Sequence, residues 1–141
     1  MSLRTIFLAK LIGLTLIGFS LAMLTQKDAA VATATAMIHQ PAFMLIFGMI
    51  ALVAGLAIVL SHNLWSGGVL PVVVTIFGWV ILIRGLLLLF LPEATIAAVF
   101  DMVHFGDYFG VYVGGILLLG LGLAVSGFRA VALDEAARPQ G

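Results

Sequence analysis

The sequence predicts an all-α integral membrane protein: four transmembrane helices in an antiparallel bundle, built by tandem duplication of a unit of transmembrane helix, outer interfacial helix and transmembrane helix. Three observations predict it. Hydrophobic residues make up 64% of the 141 residues and charged ones 9%, with a mean hydropathy of +1.31. That is far more apolar surface than a soluble chain of this length can bury. Four segments each reach the roughly 20 apolar residues needed to cross a hydrocarbon core of about 30 Å. Finally, segment 28–39 (DAAVATATAMIH) is echoed by segment 93–104 (EATIAAVFDMVH), each standing between two long apolar runs.

The spans are placed at Thr5 to Leu24, Pro41 to Leu60, Val69 to Leu91 and Phe109 to Ala130. Each is expected to be helical, because an unpaired backbone group costs several kcal/mol in lipid and the alternation of a barrel strand is absent. Arg4 and Lys10 before an apolar run, with Ser20-Leu21-Ala22 as a cleavage site, also fit a signal peptide. Removing that segment would leave an odd number of helices and half a repeat, so the uncleaved reading explains more.

The two echoed segments pair at one spacing (93 − 28 and 104 − 39 are both 65), with identities at Ala29/Ala94, Ala32/Ala97, Met37/Met102 and His39/His104. Downstream, Gly48, Leu52, Gly55, Leu56 and Ala57 match Gly115, Leu119, Gly122, Leu123 and Ala124 once a two-residue insertion is allowed. Upstream, 15–19 matches 75–79. One repeat then covers about residues 5–60 and the other about 69–130, with a tail at 131–141, all in a single membrane domain. A unit that crosses twice repeats with the same topology, so its copies relate by a pseudo-twofold axis along the membrane normal.

Each echoed segment has an apolar stripe at helical spacing: Val31, Ala34, Thr35 and Ile38 in one, Ile96, Val99, Phe100 and Val103 in the other. These are read as short interfacial helices with the stripe sunk about 5 to 10 Å into the headgroup boundary. Asp28 is expected to cap the first. Pro92-Glu93 is expected to start the second.

Six basic residues balance six acidic ones without forming a polybasic face, which argues against nucleic-acid binding and against electrostatic anchoring to lipid. Cysteine is absent, so disulfides, thiolate metal sites and thiol catalysis are excluded. Arg4, Lys10, Arg129 and Arg138 lie toward the chain ends, whereas residues 92–108 carry Glu93, Asp101 and Asp107 and no Lys or Arg. Both termini are therefore expected in the cytoplasm and the echoed segments on the outer face, with Lys27 the one dissenting charge.

Arg84 is the one ionisable residue deep in a span, roughly 11 Å from the outer end of its helix at 1.5 Å per residue. Either its side chain snorkels to the headgroups or pairs with Glu93, Asp101 or Asp107, or it is a fixed charge for an anionic ligand, a lipid phosphate or a partner's carboxylate. His39 and His104 occupy equivalent places and, if brought together by the pseudo-twofold axis, could hold a metal or haem iron or sense pH; as ordinary interfacial histidines they need do neither. His62 and Asn63 are expected to cap the end of the second span, and Trp65 to join an interfacial aromatic belt with Tyr108 and Tyr112 opposite. Trp79, in mid-span, needs a partner for its indole N–H or a lipid-facing position near a polar neighbour. Close helix approach is expected at Gly110-x-x-x-Gly114, Gly120-x-x-x-Ala124 and Ala51-x-x-x-Gly55, with the Gly-rich fourth span facing neighbours over most of its circumference.

A phosphate-binding loop, paired membrane carboxylates, HExxH and a Ser/His/Asp set are all missing from the sequence. The run His62-Asn63-Leu64-Trp65, then Thr75-x-x-Gly78-Trp79, Arg84-Gly85 and Pro92, resembles a group of small bacterial inner-membrane proteins. The likeness covers chiefly residues 48–93. It implies four helices, an inner-membrane location and a common role for Arg84 and the His62 loop, but no activity and no cofactor. The leading expectation is a non-enzymatic accessory or assembly subunit of a larger membrane complex, or a homo-oligomer, in contact with the lipid bilayer. Two alternatives are a small-anion or lipid carrier or channel using Arg84, and a haem or metal binder through His39 and His104.

Overall fold

The computed structural model describes the backbone of residues 2–136 and the side chains of residues 2–130. It is all-helical: α1 (Leu3–Thr25), α2 (Lys27–Ile38), α3 (Pro41–Ser61), α4 (Val69–Phe90), α5 (Glu93–Met102) and α6 (Phe109–Ala136). Four of these, α1, α3, α4 and α6, are long and apolar enough to cross a membrane. Their outward faces are apolar: Phe7 and Leu14 on α1, Leu45 and Val53 on α3, Val80 and Ile83 on α4, and Val111 and Leu118 on α6 are all exposed. A water-soluble surface does not tolerate that much contiguous hydrocarbon.

The helix ends follow local chemistry. Ser2 caps α1, its hydroxyl accepting from the Thr5 N–H at 3.3 Å. Pro41 opens α3 and Pro92 precedes α5, where a missing N–H costs nothing. Asp28 is not a cap: α2 begins one residue earlier, after Gln26, and Asp28 sits in its first turn. There it complements the positive end of the helix dipole. Gly67 and Gly68 end the connection into α4 at φ values of 96° and 116°, a region closed to most side chains.

The long helices associate as two extensive pairs, α3 with α4 and α1 with α6, and a narrower contact joins α1 to α4. Within each pair, residue numbers ascend on one helix as they descend on the other. A Cβ on Gly55 would enter the backbone of Leu82, one on Gly85 would stand 2.5 Å from the Leu52 nitrogen, and one on Gly78 2.5 Å from Ile58 Cγ2. In the other pair, a Cβ on Gly13 would lie 2.6 Å from the Ala124 nitrogen and one on Gly120 2.9 Å from Leu16 Cβ. Backbones this close gain dispersion contacts that longer side chains would prevent.

Burial follows a single period. Every buried residue of α3 has a buried counterpart 65 positions later: Met44/Phe109, Gly48/Val113, Gly55/Gly120 and Val59/Ala124. Ile6/Pro71, Ala9/Val74, Gly13/Gly78 and Ser20/Gly85 do the same between α1 and α4. The close approaches obey it too, since Gly13 against Ala124 corresponds to Gly78 against Val59, and Gly120 against Ile17 to Gly55 against Leu82. The core where α1 and α4 meet gathers Ala9, Ile12, Val74 and Leu123, with Leu8, Ile58, Val73 and Phe77 packed on it. Ser20 fills one small-residue position, and among the described residues its hydroxyl is the one buried side-chain oxygen or nitrogen without a hydrogen-bond partner.

Candidate functional site

At the end of the molecule that carries α2 and α5, a half-open cleft of about 490 Å³ lies between the long helices and the two short ones. Its walls are Phe19 of α1, Met44 and Phe47 of α3, and Arg84, Leu87 and Leu88 of α4. Ala34, Met37 and Ile38 of α2, Ile96, Val99 and Phe100 of α5 and Val103 just after it complete it. The apolar stripe of α5 and part of that of α2 therefore face the cleft. Sequence reasoning directed both stripes into the lipid boundary instead, because periodicity shows that a stripe exists but not what covers it.

Arg84 is the single polar residue in this lining. Its side chain is exposed and, among the described residues, it takes part in no salt bridge and no side-chain hydrogen bond. Of the three carboxylates offered as partners, Glu93 is engaged by His39, and Asp101 and Asp107 are exposed and unbonded to Arg84. The residue 65 positions before Arg84 is Phe19, on the same cleft. The two walls thus match in position and differ in charge.

His39 and His104 do not bond each other. The His39 Nδ1–H donates to Glu93 Oε1 at 3.3 Å and ties the end of α2 to the start of α5. With both side chains well exposed, such a pair contributes about 1 kcal/mol at most. The His104 Nδ1–H donates to the Met102 carbonyl at 2.9 Å, and the residue takes φ 47°, the left-handed turn that ends α5. Among the described residues, no group of three His, Cys, Asp or Glu side chains is placed to hold a metal. Tyr112 bonds the Val103 carbonyl at 2.8 Å, and its ring stacks on Phe105 at 5.9 Å, fixing the turn between α5 and α6.

The opposite end holds a compact polar network. α3 stops at Ser61, level with Thr75 of α4, so residues 62–68 must run back along α4 to reach its start. His62 is 3% exposed, and its Nε2–H donates to the Pro71 carbonyl at 3.3 Å. Its ring therefore reaches α4, whereas the sequence placed it on the carbonyls ending α3; only its backbone N–H does that, bonding Ile58 at 2.7 Å. Thr75, fully buried, accepts from the Leu64 N–H at 3.0 Å and can donate to the Leu64 carbonyl at 3.0 Å. Asn63 Oδ1 accepts from the indoles of Trp65 at 2.8 Å and Trp79 at 3.5 Å, the partner that Trp79 required. Replacing Asn63 with Leu is expected to free both indoles and cost about 1 kcal/mol. Because these are the only two tryptophans in the chain, their fluorescence reports the change directly.

The packing residues divide. Gly55, Gly120, Ala124 and Ala51 lie at close helix approaches, Ala51 through its carbonyl carbon 3.0 Å from a Cβ built on Gly85. Gly110 and Gly114 do not: a Cβ at either meets nothing within 4 Å. The same holds for Gly115 and Gly122, so α6 packs along one face rather than most of its circumference. Small-residue spacing marks a helix face as approachable without saying which face is approached. Sequence reasoning passed over Thr75 and Phe19 as site residues, pairing Phe19 with Trp79 in the echo; a Thr beside a Gly-Trp pair in a span was the available signal for the first, and the 65-residue period, which pairs Phe19 with Arg84, for the second.

No protein family, curated protein or solved structure matches this chain.

Proposed function

We propose that the protein is a non-enzymatic integral membrane protein, an antiparallel four-helix bundle made by tandem duplication, that acts as an accessory or assembly subunit or as a homo-oligomer. The 65-residue period of burial and of glycine approaches supports the duplication. It replaces the 60- and 67-residue spacings that local sequence identity favoured outside the surface helices. We place the protein in a bacterial inner membrane, on the resemblance of residues 48–93 to small proteins of that membrane, with both termini cytoplasmic and α2 and α5 outside, on the distribution of Lys and Arg.

The observation that carries the accessory or oligomeric reading is the small-residue face left open on α6. Gly115, Gly122 and Ser126 are exposed along one stripe, and a groove between α6 and Val69, Leu70 and Val73 of α4 runs beside it. Ala57 and Ser61, 65 positions before Gly122 and Ser126, are exposed on α3 in the same way. In lipid there is no hydrophobic drive between helices, and small residues are where a partner helix gains contact. Gly122→Ile is therefore expected to leave the fold intact, since its Cβ meets nothing, and to abolish association. Crosslinking in native membranes and mass measurement in a mild detergent test this. A wild-type protein that is monomeric in both, or a Gly122→Ile variant that associates like the wild type, contradicts it.

A further inference from the structure

We propose that the cleft beneath α2 and α5 is a binding site for a free fatty acid from the surrounding membrane, with Arg84 holding the carboxylate and the apolar walls enclosing part of the chain. A charge within the span of a helix is costly unless paired, and none of the described residues pairs with Arg84. Glu93 is turned to His39 at 3.3 Å, and Asp101 and Asp107 are not bonded to Arg84. A carboxylate supplied from outside the chain would offset that cost. A guanidinium presents parallel N–H donors that match the two oxygens of a carboxylate.

The rest of the cleft sets what the carboxylate is attached to. Every other lining side chain is apolar, so nothing stands ready for a sugar, a glycerol or an ammonium headgroup. The volume of about 490 Å³ is in the range of small-ligand sites and suits one acyl chain rather than the two of a phospholipid. Phe19, the α1 lining residue 65 positions before Arg84, carries no charge, so the cleft has a single charged wall and the head has one place to bind. The apolar faces of α2 and α5 cover the ligand on the side of the membrane surface.

The test uses the full-length protein in an uncharged detergent and a fluorescent long-chain fatty acid. The acid is expected to bind saturably and its methyl ester at least about tenfold more weakly. Arg84→Gln is expected to weaken binding of the acid about ten- to hundredfold, the loss of a charge-assisted pair of hydrogen bonds, and Arg84→Lys to weaken it less. Ala34→Phe fills the cleft from α2, a helix with no buried residue, and keeps Arg84; it is also expected to abolish binding. Equal binding of acid and ester, unchanged binding by Arg84→Gln or by Ala34→Phe, or full displacement of the acid by an equimolar anionic phospholipid would overturn the proposal.

Discussion

Gly55→Leu is expected to drive α3 and α4 apart and to cost about 3 kcal/mol or more, the upper end of what overpacking does. The Cβ alone would enter the backbone of Leu82, which cannot step aside as a flexible side chain would. Gly120→Leu should do the same to α1 and α6, since its Cβ would stand 3.0 Å from the Gly13 carbonyl oxygen and 3.1 Å from the Ile17 nitrogen. Gly18→Leu is the control, because its Cβ meets nothing. Unfolding in a graded denaturing-detergent titration reads all three. The expected order is Gly55→Leu and Gly120→Leu well below wild type, and Gly18→Leu close to it.

Thr75→Val has the second-largest expected effect. The exchange keeps the shape of the side chain and removes the hydroxyl that holds the 62–68 connection against α4. The Leu64 N–H loses its acceptor, and the Leu64 and His62 carbonyls, which share the one hydroxyl proton, lose their donor in a partly buried place. Leaving such groups unsatisfied costs about 1 to 3 kcal/mol each, so a total of about 2 to 4 kcal/mol is expected after relaxation. The same titration should show it, and amide exchange at Leu64 should become faster while that in the middle of α6 does not. Thr75→Ser retains the hydroxyl and should recover most of the loss.

Much of the architecture was legible in the sequence because lipid imposes length and composition so strongly. The four spans fall within two residues of their expected starts, and three of them within one of their expected ends; the fourth, α6, continues past Ala130. The two short helices were legible from their repeated motif. What periodicity could not give was the partner of each face. Gly110 and Gly114 have helix-packing spacing, yet a Cβ on either meets open space, while Gly78 and Gly85 make close approaches without a small residue four positions before them. The register of the repeat was hidden for a related reason. In Leu- and Ala-rich spans, identities arise at several offsets, whereas burial distinguishes positions that differ in identity, such as Met44 and Phe109. The site was half legible. Arg84 stood out as a lone charge, but the cleft around it is assembled from five helices, and no local pattern announces that.

The most direct test of the account is single-cysteine labelling in sealed membrane vesicles, for which the absence of native cysteine makes the background clean. Cysteines at Thr33 on α2 and Asp101 on α5 are expected to react with a membrane-impermeant reagent from one side, and a cysteine at Ser66 only from the other. Labelling of Thr33 and Asp101 sites from opposite sides, or of Ser66 from the same side as both, would contradict four spans arranged as two units of like topology.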